Sequence, residues 1–397
     1  MSAVPYDRFR AVFAELAAGA AQRDRSGEHP YALVAELVAA GFGRLRVPTE
    51  YGGYDADLPT LFGLLAEAGA ADSNVPQILR GHFTTTEILR RERDRAVRDR
   101  WFSAVGEGAV FGNAQSEPSA LAVDPATATR IHRGPGGRAV VSGTKFYSTG
   151  ARFADYLRAA AVDETGRKVF VVLPARHEGV EHVDDWAGIG QRQTGSGTTI
   201  LTSVPVEDDG QIGRELDSLR GLDSFVQIVH LANLTGIARN LVAETVEVVR
   251  GRTRTSRHAL SESAAQDPDV LAVIGRLQAR RVTAETLLEH AARRLEEAHA
   301  RDDESYFAAT YVETSTAQIA VIEAVLHAAS EAFDAGGSST VRTGVNLDRH
   351  WRNARTLASH NPVIYKPRVV GDHLVNEVLP VSGYYGQFAG PVERTAS

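Results

Sequence analysis

The sequence predicts an α+β chain in three parts: an N-terminal helical domain, a central β domain and a C-terminal bundle of long helices. Three observations predict it. Apolar residues recur at helical intervals over residues 1–105, short β-rich runs separated by turn residues fill 106–215, and long helical stripes return over 216–397. In the first part, "YDRFRAVFAELAAGAAQRD", "YALVAELVAAGFGRL" and "LPTLFGLLAEAGAAD" carry the stripe, interrupted by the Pro-, Gly- and Asp-rich "RVPTEYGGYDADLP" at 46–59. In the second, "RGPGGRAVVSGTKFY" reads as a hairpin whose glycines supply the positive φ of its turn. In the third, "SFVQIVHLANLTGIARNLVAETVEVVRGRTR" and the two long stretches after it each exceed an ordinary helix, and "DAGGSSTVRTG" places glycine at the expected end of the last.

Composition narrows the function. Apolar residues at 43% and charged residues at 23% exclude a disordered chain. A net charge of -7 and a pI near 6.0 argue against nucleic-acid or acidic-membrane partners. No apolar run reaches bilayer length and "MSAVPYDRFR" lacks the features of a signal peptide, so the cytoplasm is the expected compartment. There is no cysteine, which excludes disulfides, thiolate metal sites and cysteine nucleophiles. The single methionine is Met1, and Lys145, Lys168 and Lys366 are the only lysines. Codon bias and chance are one account of the missing methionine; economy in sulfur, in a protein made when sulfur is scarce, is the other.

Five stretches fall in order along the chain: "VPTEYGG", "GNAQSEPSA", "GTKFYSTGARFADY", "GIGQRQTGSGTTILTSVPV" and "DRHWRNART". With the helix, sheet, helix order they resemble the acyl-CoA dehydrogenase superfamily. "DDWAGIGQRQTGSGTT" and "WRNARTLASHNPVIYK" resemble its flavin-dependent monooxygenase branch, in particular the dibenzothiophene monooxygenases and related organosulfur monooxygenases. The resemblance implies an acyl-CoA dehydrogenase-like fold with a central β-barrel or sandwich and a C-terminal four-helix bundle. It also implies a homotetramer.

The resemblance carries a set of site residues with it. An isoalloxazine ring needs donors along one edge and a flat face to lie against. Tyr147, Ser148 and Thr149 of "FYSTG" are implied along the flavin; a strand end whose hydroxyls cap a turn is the competing account. "GNAQSE" supplies Asn113 near flavin and substrate, with Gln115 and Ser116 as flavin contacts. Lys366 lies inside a motif and is counted with the cofactor residues. Arg254 or Arg257 would reach the phosphate of a flavin in a neighbouring subunit, against a plain surface arginine cluster. His82 borders the implied substrate cavity, as does Asn361, and Gln77 and Gly81 stand where the dibenzothiophene enzymes carry larger ring-bearing side chains. That substitution argues against a bulky aromatic thiophene. His230, His350 and His373 show no metal-ligand spacing and read as packing or solvent residues, so no metal is expected.

"RNARTLASHNPVIYKP" has the look of an active-site loop, and it decides between chemistries. A dehydrogenase of this superfamily needs an unprotonated carboxylate to remove the proton α to a thioester. Here the corresponding position falls at His360-Asn361, with no Asp or Glu between Arg352 and Pro367. An imidazole with a pKa near neutrality suits a monooxygenase instead, where it would hydrogen-bond to, or manage the proton of, a flavin C4a-hydroperoxide. His360, Asn113 and Thr149 are therefore the expected catalytic residues. The expected reaction uses reduced FMN (FAD the lesser alternative) and O₂ to oxygenate an organosulfur compound. The chain has no strand-turn-helix glycine fingerprint for NAD(P)H, so a separate NAD(P)H-dependent flavin reductase is the implied partner. The competing functions are an N-hydroxylase of an amine or amino sugar, a true acyl-CoA dehydrogenase and a flavin-free scaffold.

Overall fold

The computed structural model describes residues 3–118, 129–207, 212 and 219–380. The boundary expected at 215–216 and the last two residues of "GNAQSEPSA" lie outside them. Among the described residues, five helices come first: α1 (Tyr6–Ser26), α2 (Tyr31–Ala39), α3 (Leu58–Ala71), α4 (Asn74–Arg91) and α5 (Arg95–Gly106). Local chemistry sets their ends. Asp57 accepts from Thr60 N to cap α3, Asp94 accepts from Ala96 N and Val97 N to cap α5, and α1 stops at Gly27 with φ 78°.

Seven strands follow: β1 (Phe111–Ala114), β2 (Arg130–Arg133), β3 (Ala139–Lys145), β4 (Tyr156–Val162), β5 (Lys168–Pro174), β6 (Val180–His182) and β7 (Thr199–Pro205). They form one mixed sheet in the order β1-β4-β2-β3-β7-β6, with β5 paired to β4. β2 and β3 make the expected hairpin, antiparallel from Arg130 opposite Ser142 to Arg133 opposite Ala139, through Gly136 and Gly137 at φ 74° and 78°. A bulge shifts the β3–β7 register between Val141 and Gly143, where Gly143 has φ 151°. A Cβ there would lie 2.5 Å from Thr129 Oγ1, so only glycine fits.

The remaining helices are α6 (Leu222–Arg250), α7 (Pro268–Arg301), α8 (Glu304–Gly336), α9 (Asp348–His360) and α10 (Lys366–Asn376). α6, α7 and α8 pack on one another, α6 and α7 also pack on α3, and α6 is buried on nearly every side from Leu222 to Ala238. At the α3–α6 crossing a Cβ on Gly236 would stand 2.5 Å from Ala70 N, so the two backbones touch there. The main core spans both helical parts and is filled by Leu, Val, Ile, Phe and Ala, without a thioether. Truncating one of these, such as the fully buried Leu231, would cost ~2–5 kcal/mol.

The segment expected as an active-site loop is mostly helix. α9 runs through His360 and stops because Asn361, extended at φ -124° and ψ 106°, precedes Pro362. α10 then starts at Lys366. Among the described residues no helix is long and apolar enough to cross a membrane.

Candidate active site

A cavity of about 830 Å³ opens where α4, α6, α9, β1 and the two loops at 146–150 and 185–198 converge. Each element contributes by its own period. α4 turns Gln77 and Arg80, three residues apart, to the cavity; α6 turns Asp223 and Gln227, with Val226. α9 presents Arg355, Thr356, Ser359 and His360 at its C-terminal end, followed by Asn361. β1 and its continuation add Asn113, Gln115 and Ser116.

The turn after β3 is held on both sides. Phe146 N donates to Ser116 O (2.9 Å), Asn113 N donates to Thr149 O (3.3 Å), and Ser148 N and Gly150 N donate to Gly197 O and Thr194 O (3.2 and 3.1 Å). Tyr147 takes a left-handed conformation, φ 55°, which costs a non-glycine residue energy and aims its half-exposed ring into the cavity. There it meets Trp186 edge-on, centroids 5.9 Å apart. Hydroxyls run back from the wall in a chain: Thr149 Oγ1 to Ser196 Oγ (2.8 Å), Ser196 Oγ to Thr194 Oγ1 (2.7 Å), Thr194 Oγ1 donating to Gln191 O (2.8 Å). Trp186 Nε1 donates to that same carbonyl at 2.9 Å, and Gln191 N donates to Asn353 Oδ1 on α9 at 2.6 Å. The loop is thereby fastened to the helix that carries His360.

α9 is anchored from behind. Glu244 on α6 accepts from Arg349 and contacts His350 Nε2 at 2.9 Å. Burial alone would raise the Glu244 carboxyl, but these two partners hold it down to about 2. Arg352 forks onto Asp24, with its shorter bond 2.6 Å.

His360 packs at right angles on His230, ring centroids 4.6 Å apart. The residue is exposed on the cavity side. Burial, with the Arg80 guanidinium adding, pushes it down to about 3. His230, fully enclosed, is pushed well below its ordinary value by burial, then by His360 and Arg80, and its Nε2 has no hydrogen-bond partner among the described residues. Both shifts favour the neutral imidazole. The expectation of a near-neutral pKa at His360 is corrected downward: its surroundings favour the neutral ring, which can donate one N-H and accept at the other nitrogen.

The structure brings His360, Asn113, Thr149, Tyr147, Gln115, Ser116, Lys366, Gln77 and Asn361 to one cavity wall. Lys366 is already engaged there, donating to Tyr311 Oη at 2.6 Å. Ser148 is buried behind the wall, its hydroxyl without a protein partner among the described residues. His82 is a correction. Two residues beyond Arg80 it points about 200° around α4, fully buried, with Nε2 2.7 Å from Gly43 O and Nδ1 accepting from Phe111 N at 3.3 Å. Gly81 is outside the cavity wall too; a Cβ there would lie 3.2 Å from Asn113 N, because this is where α4 rests on β1. Arg254 and Arg257 are exposed between α6 and α7, away from the cavity. Lys145, inside a motif, is buried in an ion pair with Glu117 at 3.0 Å and has no place in the wall.

Sequence reasoning missed Arg80, Gln227, His230, Trp186 and Arg355. It also missed a carboxylate: Asp223, on the first turn of α6, lines the cavity, so the pocket is not free of acidic groups as the 352–367 stretch suggested. No cluster of His, Asp and Glu that could hold a metal ion occurs among the described residues.

The wall fits a flavin mononucleotide. Its volume lies in the usual range for cofactor sites, roughly 300–1,000 Å³, and Tyr147 with Trp186 offers a flat aromatic corner. Hydroxyls at Thr149 and Ser196 supply donors, and the buried oxygens Gln77 Oε1 and Gln191 Oε1, without partners among the described residues, suit a ring that carries an N-H.

Comparison with known proteins places the chain's fold. The family model for the N-terminal domain of acyl-CoA dehydrogenases matches residues 7–109, and that for the C-terminal domain matches 228–364. A dibenzothiophene monooxygenase of Rhodococcus erythropolis is 29% identical over 385 residues, 92% of each chain being covered. The crystal structure of FMN-bound TdsC from Paenibacillus sp. A11-2 superposes with a TM-score of 0.87 at 28% identity, covering 96% of this chain and 99% of that one. The methanesulfinate monooxygenase MsuC from Pseudomonas fluorescens superposes with a TM-score of 0.86 at 28% identity, covering 97% and 100%.

Proposed function

From the premise that this chain belongs to the acyl-CoA dehydrogenase family, in its flavin-dependent monooxygenase branch, we propose that it oxygenates an organosulfur compound with reduced FMN and O₂. The observation that carries the reading is His360: between Arg352 and Pro367 the chain has no carboxylate, and an imidazole backed by His230 lines the cavity instead.

Bound reduced FMN supplies the electrons that activate O₂. The chain's own residues bind, orient and shield. Tyr147 and Trp186 would give the flavin a flat corner, Thr149 and Ser196 would offer it hydrogen-bond donors, and Asn113, Gln115 and Ser116 would help to hold it. The His360 N-H would donate a hydrogen bond to oxygen held in the cavity. A neutral ring would hold that oxygen without competing for its proton. The 185–198 loop, fastened to α9 through Gln191 and Asn353, keeps bulk water from the reacting atoms.

Around this centre, a separate NAD(P)H-dependent flavin reductase delivers the reduced FMN in the cytoplasm. Arg254 and Arg257, exposed beyond the cavity, reach the phosphate of a flavin in a neighbouring subunit of a homotetramer. The relatives whose names state dibenzothiophene and methanesulfinate as substrates support a sulfur acceptor.

One observation favours a second reading. Asp223 lines the cavity and could serve a dehydrogenase as base. A single experiment separates the two: aerobic turnover with a general flavin reductase, NADH, FMN and a panel of sulfides, sulfinates, sulfones and amines, read by product mass, beside anaerobic dye reduction with acyl-CoA thioesters. Oxygenated sulfur products support the monooxygenase. Dye reduction that Asp223→Asn abolishes, without any oxygenated product, overturns it.

A further inference from the structure

Resting on that reading, we propose that His230 is a positioning residue for His360: its enclosed ring, set at a right angle to the His360 ring, fixes the plane in which His360 presents a nitrogen to the cavity. His360 is the last residue of α9, where Asn361 turns away in an extended conformation, and it is exposed on the cavity side. Helix ends fray, so a side chain there needs lateral support. Elsewhere in this chain a hydrogen bond orients a buried imidazole: His350 has Glu244 at 2.9 Å and His82 has Gly43 O at 2.7 Å. At His360 the neighbour is a second ring, perpendicular to it with centroids 4.6 Å apart. That arrangement sets the electron-poor edge of one ring against the electron-rich face of the other, and it is lost when either ring turns.

His230 is a firm support. It is buried in the stretch of α6 that is enclosed on nearly every side. Three residues before it, Gln227 Oε1 accepts from Gln318 Nε2 of α8 at 3.0 Å; three residues after it, Asn233 Nδ2 donates to Ser73 O at 2.7 Å. α6 is thus tied on both sides of the imidazole. His230 Nε2 has no hydrogen-bond partner among the described residues, so the ring is not kept for a bond of its own at that nitrogen. A leucine of similar volume would fill the space without burying an unpaired nitrogen, which is costly. What a ring adds is a face and an edge for His360. Burial, and after it Arg80, disfavours a proton on either imidazole, which favours a contact between two neutral rings.

Two substitutions separate the ring from the space it fills: His230→Leu keeps the volume and removes the ring, and His230→Phe keeps a ring and removes the nitrogens. The test uses the FMN-loaded protein with a general flavin reductase and NADH, on whichever sulfide, sulfinate, sulfone or amine the natural protein oxygenates. In His230→Leu the ratio of product to peroxide should fall about fivefold, equivalent to about 1 kcal/mol. FMN affinity, read by fluorescence quenching, and the KM for the oxygenated compound should stay within about twofold, and the melting temperature should not fall. His230→Phe should bring the ratio back to within about twofold of the natural protein. Crystal structures should show the His360 plane kept in His230→Phe and turned, or split between orientations, in His230→Leu. An unturned His360 plane or an unchanged ratio in His230→Leu would overturn the proposal, as would a His230→Phe protein that keeps the plane without recovering the ratio. A lower melting temperature with a parallel loss of FMN affinity in His230→Leu would mark a merely structural histidine. No oxygenated product from the natural protein would overturn the oxygenase reading and this proposal with it, a failure told apart because it appears before any substitution.

Discussion

His82 makes a quantitative prediction about acid stability. Its tautomer follows from its partners: Nδ1 accepts from Phe111 N, so the proton sits on Nε2 and is donated to Gly43 O. Protonating Nδ1 would break the bond to Phe111 and place a charge in a site with no exposure, which is why burial pushes this imidazole down to about 4. The unfolded chain, with an ordinary histidine pKa near 6.5, binds the proton first. Between about pH 6.5 and 4 the unfolded state therefore carries more protons and stability falls as pH falls, by ~1.4 kcal/mol per unit, close to 3 kcal/mol in total by pH 4. Urea unfolding followed by tryptophan fluorescence at pH 7 and pH 4, in the natural protein and in His82→Gln, isolates this contribution. The natural protein should lose ~3 kcal/mol more than the variant over that interval, and KM for substrate should be the same in both at pH 7.5. Equal losses, or a KM change without a stability change, would refute a structural histidine and return His82 to the substrate pocket.

His360→Ala should lower product formed per NADH and raise peroxide release. Because the imidazole is already neutral, the coupling ratio should show no His360-dependent step between pH 6 and 9; a midpoint near 6.5 that the variant abolishes would contradict the geometry. Glu87→Gln leaves Arg46 buried without its counter-charge, both side chains being 3% exposed and 2.9 Å apart, and should destabilise by ~3–5 kcal/mol in urea titration. Gly190→Ala would place a Cβ 2.2 Å from Arg352 O, where the 185–198 loop crosses α9. Overpacking of that kind costs ~1–3 kcal/mol, and FMN affinity should fall more than thermal stability, since the clash displaces Trp186 and Gln191.

Much of the fold was legible because burial writes a period into the sequence. The stripes of α1, α3 and α7 and the glycines of the β2–β3 turn are local signals. Half of the site was legible for a related reason: "FYSTG" and "GNAQS" are contiguous stretches that one turn and one strand end deliver to the same wall. What could not be read is the part that needs two helices at once. His230 looked like a packing histidine because α6 is buried all round, so no face is marked as functional. Arg80 shares a face of α4 with Gln77, which the sequence did point to, but only the position of β1 tells that this face meets the cavity, and His82 lies on the opposite side. Asp223 precedes His360 by most of the bundle, so inspecting 352–367 for a carboxylate could not find it.

A core assembled from hydrocarbon and aromatic side chains alone has a chemical advantage beside a cavity that handles activated oxygen. Peroxide escaping from an uncoupled turnover converts exposed or strained thioethers to sulfoxides and thiols to sulfenic acids, each of which inserts a polar group into packing that was apolar. Past Met1 this chain offers no such target, so escaped oxidant can lower its yield without unpicking its interior.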